Sequence, residues 1–86
     1  MSDSRVEETE RLLLAAVREG GRWISGDQRV SEETAAWLLG IAPGSLANRR
    51  HAGTAPPSYR PAGKVTYRLR DLAEFIEESR KEGEEW

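Results

Sequence analysis

Apolar residues at the start of the chain recur at the spacing of a helix. Val6, Leu13 and Val17 fall on one stripe, Leu12 and Leu14 widen it, and charged residues fill the opposite side. This pattern predicts a helix over residues 4–19. Gly20-Gly21 ends it, because glycine readily takes the left-handed or irregular backbone that closes a helix. Residues 22–30 keep no period and read as a connector, with Trp23 and Ile24 expected to pin it to the core and Ser25-Gly26-Asp27 forming a turn. Ser31 suits the N-cap of a second helix over residues 32–39, and Glu32 and Glu33 are well placed against the dipole of its first turn. Thr34 stands where a full capping box would carry Glu. Ala35, Leu38 and Leu39 supply the apolar stripe, and Gly40 breaks the helix. Pro43 fits the first position of a third helix that runs to about Ala52, before Gly53. Two helices joined by a short Gly-containing turn with an aliphatic residue, Ile41, are the helix-turn-helix pattern.

Between residues 56 and 70 the period changes. Pro56-Pro57 stops helix continuation. Residues 58–60 and 64–69 then read as two short strands joined by Pro61-Ala62-Gly63. Val65, Tyr67 and Leu69 alternate with Lys64, Thr66, Arg68 and Arg70, so the first set is expected to face the core and the second solvent or a ligand. A hairpin with a basic outer face is a wing. The last helix is expected to open at Asp71, with Glu74 completing an acidic capping box and Leu72, Phe75 and Ile76 forming its stripe. The expected fold is mainly α with a small β-hairpin: a winged helix-turn-helix over residues 30–80. It is preceded by a helix and connector (1–29) and followed by an acidic tail (81–86).

Composition narrows the function. A chain of 86 residues is one domain at most and buries about 60–65% of its unfolded surface, so much of its charge lies on solvated faces. With no cysteine, disulfides, thiolate metal sites and a cysteine nucleophile are excluded. The start of the chain lacks the basic and apolar regions of a signal peptide, and no apolar run is long enough to span a membrane, which points to the cytoplasm. The net charge is −2, but it is unevenly spread. Residues 1–42 hold five bases against eight acids, residues 43–70 six bases against none, and residues 71–86 two bases against seven acids. Local potential at a docking face attracts a polyanion, and charges beyond about 8 Å are largely screened. The acid-free stretch from Pro43 to Arg70 is therefore the candidate interface.

The order and spacing of several segments resemble a known family. Ser31-Glu32-Glu33-Thr34-Ala35-Ala36 is followed by Leu38-Leu39-Gly40-Ile41-Ala42-Pro43, Ser45-Leu46-Ala47-Asn48 and Arg50. Gly53, Pro56-Pro57, Gly63-Lys64-Val65-Thr66-Tyr67-Arg68, Asp71-Leu72 and Phe75-Ile76 come next. Together, residues 30–80 resemble the excisionase and AlpA-type winged helix-turn-helix DNA-binding domains, relatives of the MerR regulators. The resemblance implies a non-enzymatic role in recombination or transcription. It implies a recognition helix carrying Ser45, Asn48 and Arg50 in the major groove, and a wing carrying Lys64, Thr66 and Arg68. Two positions depart from the family: Arg49 stands where a tryptophan is usual, and Ala42 where an N-cap Ser or Thr is common. Arg49 either snorkels past the core edge to a phosphate, or the helix sits differently.

The chemistry of the side chains gives the expected division of labour. Arg49, Arg50 and His51 can read base edges, and Asn48 suits adenine. Arg60, Lys64 and Arg68 suit phosphate, which gives affinity without sequence information. Four to six such contacts would give a log–log salt slope of about −4 to −5. Trp23, Trp37 and Tyr67 are expected to pack, with Trp37 needing cover if it lies off its helix stripe. No metal, cofactor or catalytic group is expected, since one His and no Cys leave no ligand cluster and no catalytic motif is present. The expected partner is double-stranded DNA, with an integrase or the transcription machinery as possible protein contacts. The helix of residues 4–19 either covers the domain's own core or mediates self-association. The alternative is a protein-interaction module or phage-type inhibitor whose basic face binds an acidic protein. A packaging factor like a terminase small subunit is a weaker third reading.

Overall fold

The computed structural model describes residues 3–83. Its elements, in order, are α1 (Asp3–Glu19), β1 (Arg29–Ser31), α2 (Glu32–Leu39), α3 (Pro43–Ala52), β2 (Thr66–Arg68) and α4 (Leu69–Gly83). The described fold is mainly helical with a small two-stranded antiparallel sheet. No described helix is long and apolar enough to cross a membrane.

The helical periods sort only part of the core as expected: Leu38, Leu39, Phe75 and Ile76 are half-buried, and Leu12, Trp23 and Trp37, expected to pack, are exposed. Leu13 and Val17 of α1 are buried with Ala35 and Ala36 of α2, Leu46 of α3, and Leu69, Leu72 and Ala73 of α4. Burying one face of each helix against the others removes apolar surface from water, the main stabilising term. α1 packs on α4, and Thr9 Oγ1 donates to Glu77 Oε2 at 2.7 Å across that contact. The N-terminal helix thus covers this chain's own core. The expected division at residues 29 and 30 falls inside β1, and the first three residues of the expected acidic tail, 81–83, form the end of α4. Residues 84–86 lie outside the described residues.

The ends of α2 and α3 follow from their sequences. The Ser31 side chain accepts from Thr34 N at 3.1 Å, capping α2. Gly40 and Gly53 close α2 and α3 in the left-handed conformation, each at φ 79°, where a side chain would cost about 1–2 kcal/mol. Ala42 supplies no side-chain cap to α3, which relies on Pro43 in its first turn.

The sheet differs from expectation. Strand β2 pairs with β1, in the register Arg29↔Arg68, Val30↔Tyr67 and Ser31↔Thr66. The segment expected to be its hairpin partner makes only one bridge, Tyr59↔Thr66. β1 therefore lies in what reads as a connector, and it places Val30 in the core. Two further expectations change. Leu69 belongs to α4, which opens two residues before Asp71. Thr66, expected to face outward, is buried: its hydroxyl donates to the Tyr59 carbonyl (2.8 Å) and accepts from Arg29 Nη1 (3.0 Å). Its hydroxyl is thus engaged by the protein itself.

Candidate nucleic-acid interface

α3 carries most of the proposed reading residues, and its period decides which of them reach solvent. At about 100° per residue, His51, Gly44, Asn48, Ala52, Ser45 and Arg49 span an arc of about 160°, and all six are exposed. This arc holds no acid; His51 and Arg49 bound it, and between them Gly44, Ser45 and Ala52 are small enough to permit close approach. Leu46, with Ala47 and Arg50, lies on the opposite side, against the body of the protein.

Arg50 is consequently not an outward reader. Its guanidinium forks onto Glu32, with Nε 2.8 Å from Oε2 and Nη2 3.1 Å from Oε1. The side chains of Arg50 and Glu32 are only 17% and 20% exposed. Tyr67 completes the cluster: its hydroxyl donates to Glu32 Oε2 at 2.8 Å. The Arg50 hydrogen bond holds the Glu32 carboxyl below its ordinary pKa. Burial, reinforced by the bond to Glu32, pushes the Tyr67 hydroxyl up to about 12. One carboxylate at the start of α2 therefore ties α3 to β2. Arg50 positions the helix; it does not touch a ligand as placed.

Arg49, by contrast, is exposed. It borders a recess of about 570 Å³ whose apolar lining is Leu39, Ile41, Phe75 and Ile76. Here an arginine stem lies beside apolar surface while its head stays in water.

The remaining cations lie around β2. Arg60 and Lys64 are exposed in the turn before it, and neither makes an ion pair among the described residues. Arg68 is half-exposed and lies 3.4 Å from Asp27, with its guanidinium 5.0 Å from the centre of the Tyr59 ring. Asp27 also takes Arg29 Nε at 2.9 Å, and this bond, with a second from the Ser25 hydroxyl, holds its carboxyl far below the usual range. Tyr59 donates to Asp71 Oδ2 at 3.0 Å, which raises its own pKa. Arg70, at the start of α4, bridges Glu10 and Glu74 at 3.7 and 3.3 Å.

Of the nine proposed interface residues, Ser45, Asn48, Arg49, His51, Arg60, Lys64 and Arg68 are exposed. Arg50 and Thr66 are turned inward. The acids that neutralise part of the basic stretch, Glu10, Asp27, Glu32 and Glu74, come from outside it. The spacing of Arg70 and Glu74, four residues apart, is a local signal for one of these pairs; the Asp27–Arg68 and Glu32–Arg50 pairs, 41 and 18 residues apart, have none. No group of His, Cys, Asp or Glu among the described residues is arranged to hold a metal.

No family model, no curated protein and no solved structure matches this chain.

Proposed function

We propose that this chain is a winged helix-turn-helix DNA-binding protein, with α3 as its recognition helix and the turn before β2 as its wing. The observation that carries this reading is the acid-free, exposed arc of α3, held to β2 by the Glu32 clamp; the exposed cations Arg60 and Lys64 lie in the turn that leads into that strand. Ser45, Asn48 and His51 offer uncharged donors and acceptors to base edges in the major groove. Arg49, Arg60 and Lys64 supply unpaired charge for phosphates, with half-exposed Arg68 as a weaker fourth contact. The role is non-catalytic, in recombination or transcription. So short a reading surface reaches useful specificity through adjacent or dimeric sites.

The salt dependence of binding tests it. Three unpaired cations predict a log–log slope of about −3 on a labelled duplex of about two helical turns. The double variant Arg60→Ala/Lys64→Ala should lower the slope by about 2. Absence of salt-sensitive duplex binding, or an unchanged slope in the double variant, refutes the reading. Selection of bound sequences from random DNA then identifies the site.

A further inference from the structure

Trp23 is 57% exposed, although the DNA-binding reading gives it no role. It lines a recess of about 610 Å³ together with Pro61, Ala62 and Val65, and with Arg29 and Lys64 among the lining cations. A second, smaller recess adjoins it across Arg29 and Pro61, and it contains Arg60, Arg68, Tyr59 and Asp27. The first surface is mostly apolar and concave. The second is basic: across the two recesses Arg29, Arg60, Lys64 and Arg68 face a single acid, Asp27.

We propose that these adjoining recesses bind an acidic peptide segment of a partner protein, with an aromatic or aliphatic anchor against Trp23 and carboxylates on Lys64, Arg60 and Arg68. Charge complementarity selects an anionic partner, and the apolar lining selects its class. Two polar side chains beside Trp23 are already engaged, the Thr66 hydroxyl by Tyr59 and Arg29 and the Ser31 oxygen by the α2 cap, which leaves the Lys64 ammonium, a donor only. An extruded base placed there would leave its own donors without side-chain partners, which is costly in a desolvated site. An apolar side chain carries no such groups. Placing a partner here puts it beside the proposed wing, where a recruited protein would share cations with the DNA backbone.

The proposal rests on the recesses alone and is separable from DNA binding through α3. The test uses the full chain and three labelled probes: an acidic octapeptide with a central Leu-Phe, the same peptide with Ala-Ala, and a single-stranded oligothymidylate. Fluorescence anisotropy at physiological salt should show the Leu-Phe peptide bound about tenfold or more tightly than the Ala-Ala peptide, the advantage expected for burying one large apolar side chain. Trp23→Ala should abolish that preference, and Trp23→Phe should restore part of it. Duplex binding should stay at the wild-type level in both variants. Circular dichroism confirms that the variants fold. Equal affinity for the two peptides, or a preference that survives Trp23→Ala, overturns the proposal. Trp23-dependent binding of the oligothymidylate without peptide preference overturns it in favour of a nucleic-acid occupant.

Discussion

Replacing Tyr67 with Phe removes one hydroxyl from the clamp and leaves the ring in place. The ring is fully buried, so apolar burial is preserved. The loss is one hydrogen bond of 2.8 Å to Glu32 Oε2, the oxygen that also receives Arg50 Nε. Hydrogen bonds to charged groups contribute about 1.5–3 kcal/mol. Glu32 keeps the Arg50 fork and a small exposed edge that water can reach, so the lower end applies, about 1.5 kcal/mol. For a domain of this size that corresponds to a fall in Tm of about 6–12 °C.

The same variant has a pH signature. Glu32 has a folded pKa below its ordinary 4.5, so its stabilisation is complete above that pH and is lost as pH falls through the lowered value. Tyr67 has a folded pKa near 12 against an ordinary 10; its contribution is complete below pH 10 and is lost as pH rises toward 12. The gap between wild type and Tyr67→Phe should therefore be widest between about pH 5 and 9, and should narrow on both sides. Thermal unfolding followed by circular dichroism across this range measures the gap directly. Other titrating groups are common to both proteins and cancel in the difference. A variant within about 2 °C of wild type at neutral pH, where about 6–12 °C is expected, refutes the account of the clamp. So does a gap that is constant with pH.

Other substitutions probe neighbouring parts of the argument. Glu32→Gln removes the acid that holds Arg50 inward; thermal unfolding should show a lower Tm, while the salt slope of duplex binding steepens by about 1 as Arg50 becomes available to phosphate. Arg49→Leu should do the reverse: covering about 40 Å² of the Leu39, Ile41, Phe75 and Ile76 lining raises stability by about 1 kcal/mol in urea titration, and the salt slope falls by about 1. Ser31→Ala should cost about 1 kcal/mol by removing the cap of α2, and Ala42→Ser should add about 0.5–1 kcal/mol by supplying one to α3. Denaturant midpoints measured on the same preparation check the opposite signs.

The parts of the fold legible in the sequence are those determined by local chemistry. The apolar stripe through Leu13 and Val17, the cap at Ser31, and the glycines at positions 40 and 53 each report a helix or its end from nearby residues alone. β1 is different. Arg29-Val30-Ser31 is too short to display an alternating period, and its partner lies 37 residues away. That long-range pairing also reverses the expectation for Thr66, which an alternating strand with one solvent face would expose, and whose hydroxyl Arg29 of β1 engages instead. The site divides the same way. Helical spacing from Leu46 is enough to leave Ser45, Asn48 and Arg49 outside, and it also turns Arg50 inward, but the acid waiting there belongs to another helix.

The cations of the acid-free stretch thus fall into two physical kinds. Arg50, Arg68 and Arg70 pair with acids from outside the stretch, and they tie α3 to α2, β2 to the 25–29 turn, and α4 to α1. A small core leaves the relative placement of short elements weakly determined, and partly desolvated, bidentate pairs such as Arg50–Glu32 add direction that apolar packing lacks. Arg49, Arg60 and Lys64 remain for an anionic partner. On the proposed DNA-binding role, three point charges would give modest attraction to any duplex, and discrimination between sequences would fall to Ser45, Asn48 and His51 on a helix held in fixed relation to the turn before β2. If that relation is what matters, loosening the clamp should weaken sequence preference more than it weakens general duplex affinity. For Tyr67→Phe, the ratio of specific to random-sequence binding is accordingly the more sensitive measure, and a variant that loses both in equal proportion would show that the clamp serves stability alone.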